Sequence, residues 1–520
     1  MRITPCQAAL AAAIALNLLL LLFSRLLPGA SPPCRRPRRV PAAVAEGVPG
    51  VTVILRDFDG PEHDVAATAR SFAALPGVPV LVAADVSPYP PVPLPAGVAV
   101  LSLRPEPHRP PPRPELAVRT RHVALVPDGA RAAPGLLRRM RDVLEAASDG
   151  ATKVVAAAVG RRRPRCLALE VDVKAWTARY SYADGQGDGR GDGRGELCGA
   201  LDGAPAVLLL RTRDLFSLPF PLTRPVATSL SLQAAARGWR LLLLPAAFPL
   251  APRPPPSPHA QRRARGASEA RRRALLEQFG VKLEVLPDGA RRWHGCDKDT
   301  PRCFGTVRAQ SPEYLLAGRW TPPCCLRALR ATARHVLAQL EAAGVRHWLE
   351  GGSLLGAVRL GDVIPWDYDV DVGLYRDDVP KCRWLAAVAA TGRPVEDPQG
   401  FLWEKAAEGE FFRVHFSRIN RLHVDLWPFY ARPGAGLMTK DTWLGHRQDV
   451  EFPERFLVPL GTVPFAGVLA KAPNDPRGFL ELKFGPGAIE SPSTPTPRSG
   501  GWHRTWAIKH HGDARASLGA

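Results

Sequence analysis

Asp367, Asp369 and Asp371 fall on alternate positions of Ile364-Pro365-Trp366-Asp367-Tyr368-Asp369-Val370-Asp371-Val372. A strand repeats every two residues, so a strand here puts three carboxylates on one face and Val370 and Val372 on the other. Three like charges on one face repel one another unless a cation sits among them. Hard oxygen ligands of this kind suit magnesium or manganese, and a cation they hold would also grip a diphosphate. Such a strand must border a pocket on one side and a core on the other. The plainer alternative, an exposed polar strand face, leaves the glycines just upstream unexplained.

Those glycines lie in Leu349-Glu350-Gly351-Gly352-Ser353-Leu354-Leu355-Gly356-Ala357. Before them, residues 325–343 carry Leu326, Leu329, Val336, Leu337 and Leu340 at helical spacing, which predicts an amphipathic helix stopped by Gly344. Residues 345–349 read as a strand, and Ser353 opens a short helix. A strand, a glycine turn and a helix N-terminus form a phosphate cradle, because backbone N–H groups approach the anion closely and the helix dipole favours it. Gly352 and Ser353 are the candidate phosphate contacts. A third element follows in His423-Val424-Asp425-Leu426-Trp427-Pro428-Phe429. Leu422, Val424 and Leu426 would face the core, leaving His423 and Asp425 opposite, with Asp425 as a third metal ligand or a general base.

Further upstream the pattern changes. Apolar runs at Val51–Leu55, 78–84, 123–126, 207–210 and 241–244 alternate with helical stretches at 63–75 and 134–147, and strands alternating with helices predict an α/β sheet. Residues 250–267 read as a Pro/Arg-rich linker. A helix is predicted over 268–279, capped by Ser268 and stopped by Gly280. The expected domains are a cytosolic tip and anchor (1–27), a stem (28–50), an α/β domain (51–287), a catalytic domain (288–490) and a tail (491–520). Residues 182–195 repeat Gly-Asp-Gly-Arg but lack the terminal bidentate carboxylate of a calcium loop, and predict a surface loop.

The net charge is +20, which draws attention to acidic partners. The excess lies in arginines beside Pro, Gly and Ala, such as Arg161, Arg162, Arg163, Arg271, Arg272 and Arg273, with no aromatic interleaving of a base-stacking platform. A nucleic-acid partner is therefore disfavoured. Residues 3–24 carry no charge and are long enough to cross a bilayer. The positive charges after this segment favour a cytosolic C-terminal part by the positive-inside rule. Nine cysteines leave at least one outside intrachain pairs. Cys6 is a candidate interchain link in a homo-oligomer. Cys166 and Cys198, flanking the Gly/Asp loop, are a candidate disulfide. Cys296, Cys303, Cys324 and Cys325 crowd one loop, and their spacing leaves a closed zinc site and two disulfides equally open. No Asn-x-Ser/Thr sequon occurs.

The glycine-serine turn, the Asp-x-Asp and the later carboxylate together resemble the nucleotidyltransferase superfamily. Gly-Ser-Leu-Leu-Gly-Ala and Ile-Pro-Trp-Asp-x-Asp-x-Asp are more specific, and resemble the branch holding bacterial phosphocholine transferases and their animal relatives, the fukutin group. Trp403-Glu404-Lys405, Phe411-Phe412-Arg413-Val414 and residues 423–430, 438–444, 450–456 and 480–486 continue the match. Tyr368 stands where the bacterial pattern has aspartate.

The resemblance implies a nucleotidyltransferase-like α+β catalytic domain behind an α/β domain that itself resembles a type-A glycosyltransferase. That first domain offers only Asp128 where such enzymes need two aspartates, so it is expected to be non-catalytic. The resemblance also implies a single-pass type II Golgi membrane protein with a lumenal catalytic part. The implied reaction moves ribitol 5-phosphate from CDP-ribitol to the O-mannosyl glycan of α-dystroglycan, alongside fukutin and other Golgi glycosylation enzymes. Transfer of phosphocholine or glycerol phosphate, or a non-catalytic Golgi scaffold, are the alternatives. On this resemblance Asp369, Asp371 and Asp425 hold magnesium or manganese and Asp367 supports the site. Lys405, Arg413, His415 and His423 are candidates for substrate phosphate. The same resemblance assigns zinc to Cys296, Cys303, Cys324 and Cys325.

Overall fold

A computed structural model describes residues 48, 50–58, 63–86, 91–105, 113–133, 135–183, 195–253, 257–304, 307–308, 311–446 and 448–490. Cys6, the apolar segment at 3–24, residues 184–194 of the Gly/Asp loop and the tail after residue 490 lie outside them. Among the described residues no helix is long and apolar enough to cross a membrane.

The predicted α/β pattern is present. Among the described residues, eight strands form a sheet in the order Ala99–Ser102, Val80–Ala84, Val51–Leu55, His122–Val126, Ala206–Arg211, Thr152–Val159, Arg240–Phe248, Glu196–Cys198. The first four run parallel. Ala206–Arg211 is antiparallel to both neighbours. Val51–Leu55, Val80–Ala84 and His122–Val126 are buried along their whole length, which is why their sequences are apolar apart from Thr52 and His122. Helices Val65–Ala73 and Leu136–Ala146 cover one face through Val65, Phe72, Leu137 and Met140. Asp128, just beyond the His122–Val126 strand, is occupied internally. Its carboxylate accepts from the Asp64 backbone N–H at 3.0 Å and from Arg253 at 3.0 Å.

A second sheet of five strands leans on this one, and Cys166 and Cys198 are joined in a disulfide between its Arg165–Asp172 strand and the first sheet's edge. The linker expected at 250–267 is corrected here: one helix runs over Pro258–Gln278. Ser257, not Ser268, is its cap, accepting from the Ala260 N–H, and Pro258 fills the first turn where its missing N–H is harmless. Behind Pro258 the Ala, Arg and Gln residues are strong helix formers, so the Pro/Arg-rich composition does not keep residues 258–267 out of a helix.

The third sheet carries the candidate site. Its order is His347–Leu349, Val370–Tyr375, His423–Ala431, Phe412–His415, Leu402–Lys405, Val395–Glu396, with Leu437–Lys440 paired to the far end of His423–Ala431. The amphipathic helix, Pro323–Ala342, packs on it through the expected Leu326, Leu329, Val336, Leu337 and Leu340. Gly344 follows in the left-handed conformation (φ 65°) and turns the chain into the first strand. Helix Gly351–Leu360 comes next. Gly356 is fixed by close approach, since a Cβ there would stand 2.5 Å from the Asp362 carbonyl oxygen.

Candidate active site

Glu350 is the N-cap of the Gly351–Leu360 helix, and two hydrogen bonds join that turn to the acidic strand. The Glu350 N–H donates to the Asp371 carbonyl at 3.0 Å. The Asp371 N–H donates to Ser353 Oγ at 2.9 Å. Val370–Tyr375 then pairs in parallel with His423–Ala431, in a register that sets Asp371 beside Asp425. Two carboxylates from distant parts of the chain are thereby side by side.

The strand expected over all three aspartates is shorter than predicted and begins at Val370. Asp367 and Asp369 precede it in a turn. The Asp367 N–H donates to the Ile364 carbonyl at 2.9 Å, and Asp367 Oδ1 accepts from the Tyr368 N–H at 3.0 Å. Thr321 Oγ1 holds the Asp367 carbonyl at 2.6 Å. Proline at 365 withholds a ladder donor, and the Asp367 side chain satisfies the local backbone instead. The turn still delivers Asp367 and Asp369 to the cavity that Asp371 and Asp425 line, a space of about 900 Å³. The convergence expected from period two is reached by a turn followed by a strand.

The electrostatics are those of crowded like charges. Burial pushes the Asp371 carboxyl up to about 7, with the neighbouring Asp425 adding to it. Burial, then the negative charges of Asp367, Asp371 and Asp425, raises Asp369 well above the carboxylate range, and burial raises Asp367. Asp371 Oδ1 accepts from Trp427 Nε1 at 2.9 Å. Asp425, 5% exposed, is held by Arg413 with both oxygens, at 2.7 and 3.2 Å. That fork supplies the positive counter-charge and fixes the carboxylate plane. His423 lines the same cavity. Burial pushes its imidazole down to about 4, so it is neutral at physiological pH.

The other expected phosphate contacts separate in space. Gly352 borders the cavity, where a Cβ would meet Asp367 Oδ2 at 3.3 Å. Ser353 Oγ is engaged by the acidic strand. Lys405 pairs with Glu410 at 2.7 Å, and buried His415 bonds Glu404 at 2.8 Å and the Arg421 carbonyl at 3.1 Å. Neither borders the cavity.

The cavity also has walls that the sequence reasoning did not assign. Lys440 stands 3.9 Å over the Trp427 ring and 2.7 Å from Asp449. His446 and Gln448 follow on the same loop, and Arg302 enters from the cysteine loop. Residues 438–444 and 450–456 had been singled out only by resemblance. No periodicity links Lys440 to a strand elsewhere in the chain.

The four loop cysteines do converge, with Cys325 Sγ 3.7 Å from Cys296 Sγ. Against the expected zinc tetrad, the structure joins them as two disulfides, Cys296–Cys324 and Cys303–Cys325. Cys324 and Cys325 are adjacent and each takes its partner from the loop, because neighbouring cysteines cannot readily bridge each other.

Comparison with known proteins places the chain. Residues 36–287 match the family model described as the fukutin-related protein stem domain, and residues 344–475 match the LicD/FKTN/FKRP nucleotidyltransferase domain. The chain is 54% identical over 507 residues to the human protein named ribitol 5-phosphate transferase FKRP, covering 96% of this chain and 98% of the relative. The mouse protein of the same name is 53% identical over the same span, with the same coverage. An uncharacterised protein of Rickettsia prowazekii, RP689, is 26% identical over 146 residues, 28% of this chain and 49% of that one.

Proposed function

The chain belongs to the fukutin-related protein family, and from that premise we propose that it transfers ribitol 5-phosphate from CDP-ribitol. The acceptor is the ribitol phosphate already on the O-mannosyl glycan of α-dystroglycan, and CMP leaves. The observation that carries this is the parallel register of Asp371 and Asp425 at the mouth of the glycine turn. The donor set fits a hard divalent cation. Asp367, Asp369, Asp371 and Asp425 border one cavity, where burial and the neighbouring negative charges raise the carboxyls of Asp369 and Asp371.

Asp369, Asp371 and Asp425 would hold magnesium or manganese, which neutralises the donor diphosphate and the charge developing on the leaving phosphate. Arg413 orients Asp425. Trp427 orients Asp371 through its indole N–H. Thr321 fixes the turn bearing Asp367. Gly351-Gly352 opens the backbone toward the phosphates. The acceptor hydroxyl attacks the donor phosphorus in line, forming the new phosphodiester as the bond to CMP breaks, with catalysis mainly by positioning.

The α/β region at 51–287 is assigned to assembly or acceptor presentation, since Asp128 is tied to Asp64 and Arg253. Residues 3–24 are assigned to a type II Golgi anchor, with fukutin among the neighbouring enzymes and Cys6 as a link between copies. The sulfurs of Cys296, Cys303 and Cys325 lie within 4.8 Å of one another, and in the reduced chain these three with Cys324 would supply the four thiolates of a closed zinc site. Metal analysis of protein purified under reducing conditions decides this: one zinc per chain supports it, and four alkylatable thiols without zinc refute it.

The test of the activity is CMP release by the full-length chain in detergent, given CDP-ribitol, magnesium and a ribitol-phosphate glycopeptide. Release lost with EDTA and in Asp369→Asn is expected. Release with another CDP-alcohol but not CDP-ribitol overturns the substrate. No release with any donor returns the chain to a scaffold.

A further inference from the structure

Glu350 borders the same cavity as Asp367, Asp369, Asp371 and Asp425. Its side chain does not face the cluster uncompensated. It is ion-paired with Lys483, from helix Pro476–Phe484, and both residues are 6% exposed. Trp348 Nε1 donates to the second oxygen, Oε2, at 2.8 Å. Lys483 Nζ sits among rings, 5.0 Å from the Phe452 centroid and 5.1 Å from Phe479. The chain just after that helix is also tied to the Gly351–Leu360 helix, since Arg359 Nε donates to the Ile489 carbonyl at 3.0 Å. Lys483 lies outside the stretch matched to the nucleotidyltransferase family model, which ends at 475.

We infer that Lys483 is a positioning residue of the transferase site. It compensates the Glu350 carboxylate beside the metal-binding aspartates, and so sets the charge of the cavity. The physical grounds are direct. Glu350 contributes the helix N-cap, and its N–H is bonded to the Asp371 carbonyl at 3.0 Å. Without Lys483 the buried carboxylate is unpaired, beside four others. A buried charge left unpaired is strongly unfavourable, whereas removal of both partners is often tolerated. Glu350 would then find its compensation in the cation, adding a ligand where the donor diphosphate should bind.

The inference rests on the transferase reading above, and its test has one arm that does not. Lys483→Met, Lys483→Arg and the double variant Glu350→Gln/Lys483→Met are prepared as full-length chains. Magnesium is titrated by thermal shift in the absence of donor. Lys483→Met should bind magnesium roughly fivefold tighter, from one added uncompensated charge near a divalent ion at intermediate dielectric. The double variant should return to the wild-type midpoint. In the activity arm, Lys483→Met should raise KM for CDP-ribitol roughly fivefold by repelling the diphosphate. Lys483→Arg should retain more of the wild-type behaviour, and the double variant should recover KM.

A purely structural lysine would lower the folded fraction and kcat while leaving the magnesium midpoint and KM unchanged, and that result overturns the inference. So does a double variant no better than Lys483→Met. If wild type releases no CMP from any donor, the transferase reading fails. The magnesium arm still decides whether Lys483 sets the cavity's charge.

Discussion

Replacing Asp371 by asparagine should stabilise the metal-free protein, and the gain should grow with pH. The Asp371 carboxyl stands at about 7 in the folded chain against an ordinary 3.8, because burial and the adjacent Asp425 disfavour its charge. With a raised folded value, the folded state holds a proton that the unfolded state has already lost between about pH 4 and 7. The stability this proton contributes is present at low pH and is lost as pH rises through 7. The full interval corresponds to about 4 kcal/mol. The cavity is open to water, which screens the charge, so about 2–3 kcal/mol is expected. Asparagine has the same shape, carries no charge and leaves its side-chain oxygen available to Trp427.

His423 must be separated from this effect. Burial pushes its imidazole down to about 4, so its stability contribution is present at high pH and is lost as pH falls below about 6.5. It opposes Asp371 in the wild-type profile. The useful quantity is therefore the difference between Asp371→Asn and wild type at each pH. Thermal unfolding in EDTA at about pH 4, 5, 6, 7 and 8 should show near-equal midpoints near pH 4 and a gap that widens up to about pH 7. At pH 8 the variant should lead by roughly 4–12 °C, at about 2–4 °C per kcal/mol. Magnesium at pH 8 should raise the wild type and leave the variant largely unmoved. A difference that does not change with pH, or a wild type indifferent to magnesium, would refute the crowded-carboxylate account.

The other expectations follow from single contacts. Arg413→Lys keeps the charge but not the two-point grip on Asp425, and should destabilise by about 1–2 kcal/mol in urea unfolding with at least a tenfold loss of CMP release. Gly356→Val places a side chain against the Asp362 carbonyl and should cost more than about 2 kcal/mol, read by the same unfolding curve. Cys166→Ser opens a disulfide that spans 32 residues, and should lower stability by about 3 kcal/mol while leaving magnesium binding unchanged.

Much of this was legible from the chain alone, for reasons of periodicity. The amphipathic helix, the strand before the glycine turn and the buried strands at 51–55 and 122–126 were visible because each element must bury one face or both. The aspartates were legible as a group because carboxylates so closely spaced demand a counter-charge. The Pro/Arg-rich composition of residues 250–267 predicts a linker, whereas from Pro258 on the Ala, Arg and Gln residues favour the helix that forms. The strand over 367–371 was drawn too long because period two was satisfied by a turn as well as by a ladder.

The sequence by itself determined the chemistry present: three aspartates, a glycine turn, a later His-x-Asp and a cysteine loop. Tertiary structure decided which of these meet. The parallel register brings Asp425 to Asp371 across 54 residues of chain. The same sheet turns Lys405 and His415 toward Glu410 and Glu404. Lys440 and Arg302 line the cavity and Lys483 reaches its Glu350, from segments that no periodicity ties to the aspartates. A charge's partner is set by three-dimensional distance and by the dielectric around it, and neither is encoded in spacing along the chain.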